Sequence, residues 1–446
     1  MPSPLPDPLP VRSLTTADAA AYRALSAGAF GGRFDLTPEE AAAPLSPGQS
    51  VLGIDSSAML AATGAADGGG ADGGGADGGG ADGVLASGAR ILHHEIALGG
   101  GRARSGGVAG LAVHPAHRGD GLFGAMVDAV IARCDAEGIP FSMLFASNPE
   151  IYRRHGYQVV ARPESLVVPL VDLQRIRPVP GRRTLPVTAA TMPRLRALYT
   201  ELTAGDNGML RREGPHFPEG LPGGGWEAVL LVGEDGTDRG YASWTRRRPG
   251  PGTAEGRELE VHEVLGRDRD DLRALLRVLG TWSTLVEELR LRVRTEDPVL
   301  DVLPGGRARR ASDAVPLVLM RVIDTAAALA ARPAPAGVHG ALRLIVEDAT
   351  VPPGTCRAAG AFDVVAVGGQ IRVLAQEPTE AAASADLDSL GTVHLDVHAA
   401  SLLLTGGRSL ADARRLGLRA EADDPRAAAL LDALLAGPRP SVLDAF

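Results

Sequence analysis

The sequence predicts mixed α/β architecture through residue 312 and an α+β unit from 313 to the end. Three observations carry this. Apolar runs of strand length alternate with helical stripes between residues 50 and 157. The same order recurs loosely after Pro163. Beyond residue 313, several strand-like segments follow one another before two terminal helices. With 446 residues and 45% hydrophobic content, about three domains are expected, divided as 1–162, 163–312 and 313–446.

Taken in order, TTADAAAYRALSAGAF fits a capped helix opening at Thr15 or Thr16. SVLGID (50–55) and VLASGARILHHEI (84–96) read as strands, joined across residues 66–83 by a five-residue Gly-rich repeat with no side chain able to fill a core, hence a flexible loop. GVAGLAV (107–113) reads as a strand. From Leu122 the apolar positions Phe123, Met126, Val127, Val130, Ile131 and Cys134 follow at helical spacing. FSMLFA (141–146) suits a buried strand. After it Asn148 can cap, Pro149 takes a first helical position, and Gly156 closes a two-turn helix. In the second unit TMPRLRALYTEL and DRDDLRALLRVLGTW are helical, EAVLLVGED and RGYASWTRR are strands, and 205–225 is a Gly/Pro-rich stretch. In the third, PLVLMRVID, ALRLIVED, AFDVVAV and GQIRVLA are strand candidates, with helices after PLVLMRVID, at AASLLLTG and at DPRAAALLDALLAG.

A net charge of -9 without a dense Lys/Arg block argues against nucleic acid or an anionic bilayer as partner. Cys134 and Cys356 lie far apart and support neither a disulfide framework nor a Cys-based metal site. The start, MPSPLPDPLP, lacks the pattern of a secretory signal, and no stretch reaches the roughly 18 apolar residues of a membrane span, so a cytoplasmic location is expected.

The sharpest chemical signal is Arg118-Gly119-Asp120-Gly121, between the strand ending at Val113 and the helix starting at Leu122. A helix start leaves backbone NH groups unpaired, and glycines allow a phosphate to approach them. Each such contact contributes about 0.3 to 1 kcal/mol at an exposed end, so several must converge, with Arg118 adding a full charge. A pyrophosphate meets those demands; a plain Gly-rich turn is the other reading. Glycines at 119, 121 and 124 do not make the dinucleotide G-x-G-x-x-G pattern, and no P-loop Lys-Ser/Thr pair follows.

The stretch resembles motif A of GNAT-type N-acetyltransferases, R/Q-x-x-G-x-G/A, with Phe123 at the position where a small residue is usual. Together with ASNPEIYRRHGY (146–157), LAVHPAHRGDGL, DPVLDVLP, VLMRVIDTAAAL and a terminal Phe, nearly the whole chain resembles the Eis (enhanced intracellular survival) acetyltransferases. That resemblance implies an N-terminal GNAT domain, a degenerate second GNAT-like domain, a C-terminal domain similar to sterol carrier protein, and a homohexamer. It implies acetyl-coenzyme A as co-substrate and no metal. Leu111, Ala112 and Val113 would pair with the pantetheine arm. Arg118, Gly119, Asp120, Gly121, Leu122, Phe123 and Gly124 would wrap the pyrophosphate, and Ser147 and Asn148 would flank the same cofactor. Tyr152 would be the general acid, and the α-carboxylate of Phe446 the base. Acceptors would be primary amines, aminoglycosides and lysine side chains.

Some positions depart from the family pattern. Only Arg118 remains of two or three consecutive basic residues; Asp120 would repel a phosphate unless it faces solvent or caps the helix. The penultimate acid is replaced by Ala445, with Asp444 one step earlier. His93-His94-Glu95 looks metal-like, but alternate strand residues face opposite sides, so no metal site is expected. Phe30, Phe34 and Trp244 could line an amine pocket, with core packing the simpler account. Two other functions stay open: a lipid or acyl carrier, and a scaffold with a decayed acetyltransferase site.

Overall fold

The structure, a computed structural model, describes residues 10–31, 45–62, 84–247, 258–312, 316–374 and 391–446. The Gly-rich repeat at 66–83 and Phe34 lie outside the described residues. Three sheets organise the chain. Among the described residues the first has eight strands, in the order Arg12–Ser13, Gln49–Asp55, Leu85–Leu98, Gly101–Val113, Phe141–Ala146, Leu317–Val322, Gln158–Ala161, with Asn207–Leu210 added beside Leu85–Leu98. The second runs Arg309–Arg310, Glu164–Pro169, Glu288–Val293, Glu258–Gly266, Asp238–Arg247, Trp226–Gly233, Arg182–Pro186. The third, five-stranded, runs Gln370–Leu374, Gly360–Val367, Gly340–Glu347, Thr392–Asp396, Ala420–Ala422.

Each of the first two sheets holds one parallel strand pair joined through a helix. In the first, Gly101–Val113 leads through the helix Leu122–Ala136 to Phe141–Ala146. In the second, Glu258–Gly266 leads through Arg269–Gly280 to Glu288–Val293. The first helix buries the expected stripe: Leu122, Met126, Val127, Val130, Ile131 and Cys134 are all inside. Phe123 is only half-buried, against Tyr152. The N-terminal helix also forms, with a capping box of Thr15 and Asp18 opening a 3-10 turn ahead of Ala19–Phe30.

Two segments go elsewhere than chain order suggests. Leu317–Val322, expected to open the third unit, lies in the first sheet between Phe141–Ala146 and Gln158–Ala161. Five of its six residues are buried, as a central strand covered on both faces requires. Asn207–Leu210 is a strand within the Gly/Pro-rich stretch and extends the first sheet from the second unit. The helix after Asn148 is a single turn, Glu150–Arg153, and not two turns; Gly156, at φ +80°, ends it.

The third sheet packs on the first through one shared core, in which Phe141, Met143 and Met320 meet Leu342, Leu344 and Leu402. Polar contacts fix the alignment. The Ser401 hydroxyl donates to the Gly156 carbonyl (3.1 Å) and accepts from the Val322 NH (3.1 Å). Arg321, fully buried, pairs with Asp348 at 2.5 Å and also donates to the His155 carbonyl and to Thr350 Oγ1. A buried guanidinium that loses its only carboxylate partner keeps its desolvation cost without the compensating attraction. Asp348→Ala is therefore expected to lower folding stability by about 3 to 5 kcal/mol, read as a reduced midpoint in urea unfolding.

Candidate active site

The site is built where the parallel pair of the first sheet parts. Gly101–Val113 and Phe141–Ala146 are paired from Ser105↔Phe141 to Val108↔Leu144 and no further, although the first strand continues to Val113. On its other side, a bulge between Gly88 and Arg90 leaves Gly110 and Leu111 opposite Ala89, with Gly110 at φ +57° and its carbonyl accepting from the Tyr22 hydroxyl at 2.9 Å. Residues 109–113 thus present one backbone edge unpaired by the next strand, facing the gap.

At the end of that edge comes the glycine turn. Gly119 and Gly121 have φ of +97° and +80°, a region that a side chain makes costly. A Cβ on Gly119 would meet nothing within 4 Å, so the space above it is open. Gly121 is the N-cap of the Leu122–Ala136 helix and supplies no capping side chain. The NH groups of Leu122, Phe123 and Gly124 are left without an intrahelical partner. Asp120 does not cap: its carboxylate lies 3.7 Å from Nδ1 of His117 and is part-exposed. A cavity of about 470 Å³ sits here, lined by Leu111, Ala112, Val113, Arg118, Gly119, Gly121, Leu122 and Phe123, with Phe30 at its edge. Of the sequence-predicted set, Asp120, Gly124, Ser147 and Asn148 do not line it; Ser147 and Asn148 are exposed, and Asn148 Oδ1 accepts from the Glu150 NH.

Phe123, the departure from a small residue, packs edge-on against Tyr152, ring centroids 5.3 Å apart, and so helps hold that phenol. Burial pushes the Tyr152 hydroxyl above its usual range, keeping it protonated at neutral pH. Its one-turn helix is tied down from below by the Arg321 and Ser401 contacts to His155 and Gly156.

The C-terminal tail reaches the same strand, at Gly107. Asn207 is its main anchor: Nδ2 donates to the Pro438 carbonyl at 2.6 Å, its own carbonyl accepts from the Ser441 NH at 2.9 Å, and Oδ1 accepts from the Gly99 NH and buried Arg332. Thr295 and Arg292 of the second unit then hold the carbonyls of Pro440 and Leu443, and Val442 and Leu443 are buried. Arg212 binds Asp444 and Glu263 together. The Phe446 ring lies between His94 and Phe145, at centroid distances of 5.0 and 5.2 Å. A Cβ on Gly107 would come within 2.7 Å of it, so only glycine admits the ring at that point on the strand. The terminal carboxylate forms no ion pair among the described residues. Phe446 lines a cavity of about 510 Å³ with Arg90, His94, His216 and Arg292. This opens toward a larger one, about 1010 Å³, that shares Phe217, Arg292, Leu443 and Asp444.

His93 and His94 face opposite sides, as alternation requires: His93 meets Glu137 at 3.0 Å and Ser50, while His94 meets Phe446. No metal-binding group of three ligands occurs among the described residues. Trp244 is buried in the second sheet's core against Trp282, away from the cavities. The sequence reading missed Asn207, Arg90 and Arg292 and weighed His94 only as a metal ligand; an Asn preceding Gly208 in a Gly/Pro-rich stretch carries no local signal of its partner 231 residues away.

In the second sheet the corresponding helix start is filled. Asp268 caps it by accepting from the Asp271 NH at 2.9 Å, and Asp271 is held by Arg182 and Arg239. Carboxylates there exclude an anion, so one cradle of the two is open.

Two families, each described as an acetyltransferase (GNAT) domain, match residues 74–160 and 208–322. The chain therefore carries two GNAT acetyltransferase domains. An uncharacterized N-acetyltransferase of Streptomyces coelicolor is 29% identical over 279 residues, which span 57% of this chain and 63% of the relative. The fold is that of a GCN5-related N-acetyltransferase from Kribbella flavida (19% identity, TM-score 0.72, 98% of each chain) and of Eis1 from Mycobacterium abscessus (20% identity, TM-score 0.67, 98% of this chain and 100% of the other). No helix among the described residues is long and apolar enough to cross a membrane.

Burial, then the neighbouring His216 and His93, lowers the His94 pKa from 6.5 to about 4. The unfolded chain takes up a proton near pH 6.5 that the folded one resists down to about pH 4, so the stability from neutral His94 is present above 6.5 and lost as pH falls through that window. His94→Gln should remove on the order of 2 kcal/mol of that acid-side loss, seen as a flatter dependence of the urea midpoint on pH between 6.5 and 4.

Proposed function

We propose that the protein is an acetyl-coenzyme A-dependent N-acetyltransferase acting on primary amines, with chemistry confined to the first GNAT domain. The observation that carries this is the open glycine cradle at the end of the unpaired strand edge 109–113; Tyr152 against the cradle's Phe123 and the Phe446 ring on Gly107 of the same strand support it. Uncapped NH groups and open space at Gly119 suit a pyrophosphate, and an unpaired strand edge suits the amides of a pantetheine arm. Bound acetyl-coenzyme A supplies the activated acyl group.

Within this reading the amine nitrogen attacks the thioester carbonyl carbon and the carbon–sulfur bond breaks. The Phe446 carboxylate accepts the amine's proton, and the Tyr152 hydroxyl gives one to the departing thiolate. An α-carboxyl near pKa 3.5 is a weak base. Burying the tail beside the strands offsets that weakness by holding base and amine together. Arg118 adds positive charge to the cradle and Gly124 one of its unpaired NH groups; Asp120, Ser147 and Asn148 belong to the reading through the resemblance alone, since they do not line the cavity.

Aminoglycosides and lysine side chains, the sterol-carrier-like nature of the third sheet, the domain limits 1–162, 163–312 and 313–446, a homohexamer and a cytoplasmic location belong to this reading through the resemblance to Eis proteins. The lipid-carrier and decayed-scaffold alternatives are not favoured, because the cradle is open and the tail is docked.

Thiol release from acetyl-coenzyme A in the presence of an amine panel tests the reading; no release with any amine rejects it. Tyr152→Phe should lower kcat about 100-fold or more with coenzyme A affinity retained. Two residues appended after Phe446 should cut turnover at least as far with the melting temperature unchanged, whereas full turnover removes the terminal carboxylate from the mechanism.

A further inference from the structure

The acceptor chamber beside Phe446 has an uneven supply of charge. Four ionisable side chains other than histidine bear on it: Arg90, Arg292, Asp444 and, behind Asp444, Arg212. Asp444 is already consumed, since Arg212 clamps it together with Glu263. Glu263 is further satisfied by the Tyr241 hydroxyl at 2.5 Å. In the adjoining larger cavity Glu213 pairs with Arg102 at 3.5 Å, and both Glu213 and Glu219 are exposed, where solvent screens them. Among the described residues no carboxylate side chain is left in the inner chamber to receive an ammonium group.

The cations are the opposite case. Arg90 and Arg292 make no ion pair among the described residues. Arg292 donates through Nη2 to the Leu443 carbonyl at 2.6 Å, acts electrostatically on Asp444 and Glu263, and lines the cavity. Arg90 Nε is buried without a hydrogen-bond partner, and two neighbours in the same wall share that condition: His94 Nε2 and Gln49 Oε1. His94 is 7% exposed. Buried polar atoms left unpaired are costly, and three of them around one cavity mark a place where a polar ligand completes the bonding. Arg292 comes from the second sheet and Arg90 from the first, so a ligand between them is gripped from both sides.

We propose that the acceptor is a small primary amine that also bears an acidic group, a carboxylate or a phosphate, bound by Arg90 and Arg292 while its nitrogen faces the Phe446 terminus. This rests on the acetyltransferase reading of the site and narrows it, away from polycations. A guanidinium fork matches either acid in two parallel hydrogen bonds, and such charge-assisted contacts are about twice as strong as neutral ones. A polycation would meet one unpaired carboxylate there, that of Phe446, beside two guanidiniums with no ion pair among the described residues.

The test is the rate of thiol release by the full chain with matched acceptors: phenylalanine against phenethylamine for the carboxylate, phosphoethanolamine against ethanolamine for the phosphate, and spermidine and neomycin as polycations. The acid-bearing member of at least one pair should exceed its neutral partner and both polycations in kcat/KM by about tenfold to a hundredfold; which pair responds tells carboxylate from phosphate. In Arg90→Gln and Arg292→Gln that ratio should fall toward one, chiefly through KM. Arg292→Lys should restore part of it, because the charge returns without the fork. Transfer to neutral amines or polycations with no advantage for the acids overturns this inference and leaves the acetyltransferase reading standing. No release with any acceptor overturns both. The wild-type ratios decide the matter even if a variant fails to fold.

Discussion

Two parallel strands that stop pairing at Val108 and Leu144 set the conditions for everything else at this site. Past that point the backbone of residues 109–113 has lost the partner a sheet would give it, and unpaired buried backbone groups cost free energy comparable to a lost hydrogen bond. The bulge at Gly110 turns the strand as it leaves its neighbour. A ligand with amides along its length and a diphosphate at its end matches what the strand and the following glycine turn leave unsatisfied. The second sheet keeps the strand-helix-strand arrangement without the vacancy, since Asp268 and Asp271 with their arginines occupy the helix start. The strand-helix-strand arrangement is thus open at its helix start in the first sheet and closed by carboxylates in the second.

The tail and the third sheet act on that gap from a distance in sequence. Asn207 uses its side chain and carbonyl to bind Gly99, Arg332, Pro438 and Ser441, joining first sheet, third unit and tail at one residue. From there Thr295 and Arg292 carry the last residues along the second sheet until the Phe446 ring meets Gly107. Tyr152 is fixed by a different route, through Arg321, Asp348 and Ser401. The acid and the base proposed for the reaction are therefore each positioned by residues remote from them in the chain, which explains why so much buried polar bonding is spent far from the cavities.

Local periodicity and turn chemistry made the first unit readable. The stripe from Leu122 to Cys134, the strand at 141–146, the capping box at Thr15 and the glycine turn all report short-range constraints, and the structure places them accordingly. Pairing across long loops leaves no such trace: Leu317–Val322 reads as an apolar strand wherever it goes, and its insertion beside Phe141–Ala146 depends on partners more than 170 residues earlier. The resemblance brought Tyr152 and Phe446 forward, while Asn207, Arg90 and Arg292 were hidden because each is an ordinary residue until the fold assembles the chamber. Phe123, at a position where the resembling family has a small residue, packs edge-on against Tyr152.

The central claim is that the first GNAT domain alone receives the coenzyme, on the amides of the strand edge and the glycine turn. Backbone hydrogen exchange of the full chain, with and without coenzyme A, measures this directly. Protection should appear at residues 111–113 and 119–124 and leave 266–272 unchanged. Protection at 266–272, or none at 119–124, would contradict the account.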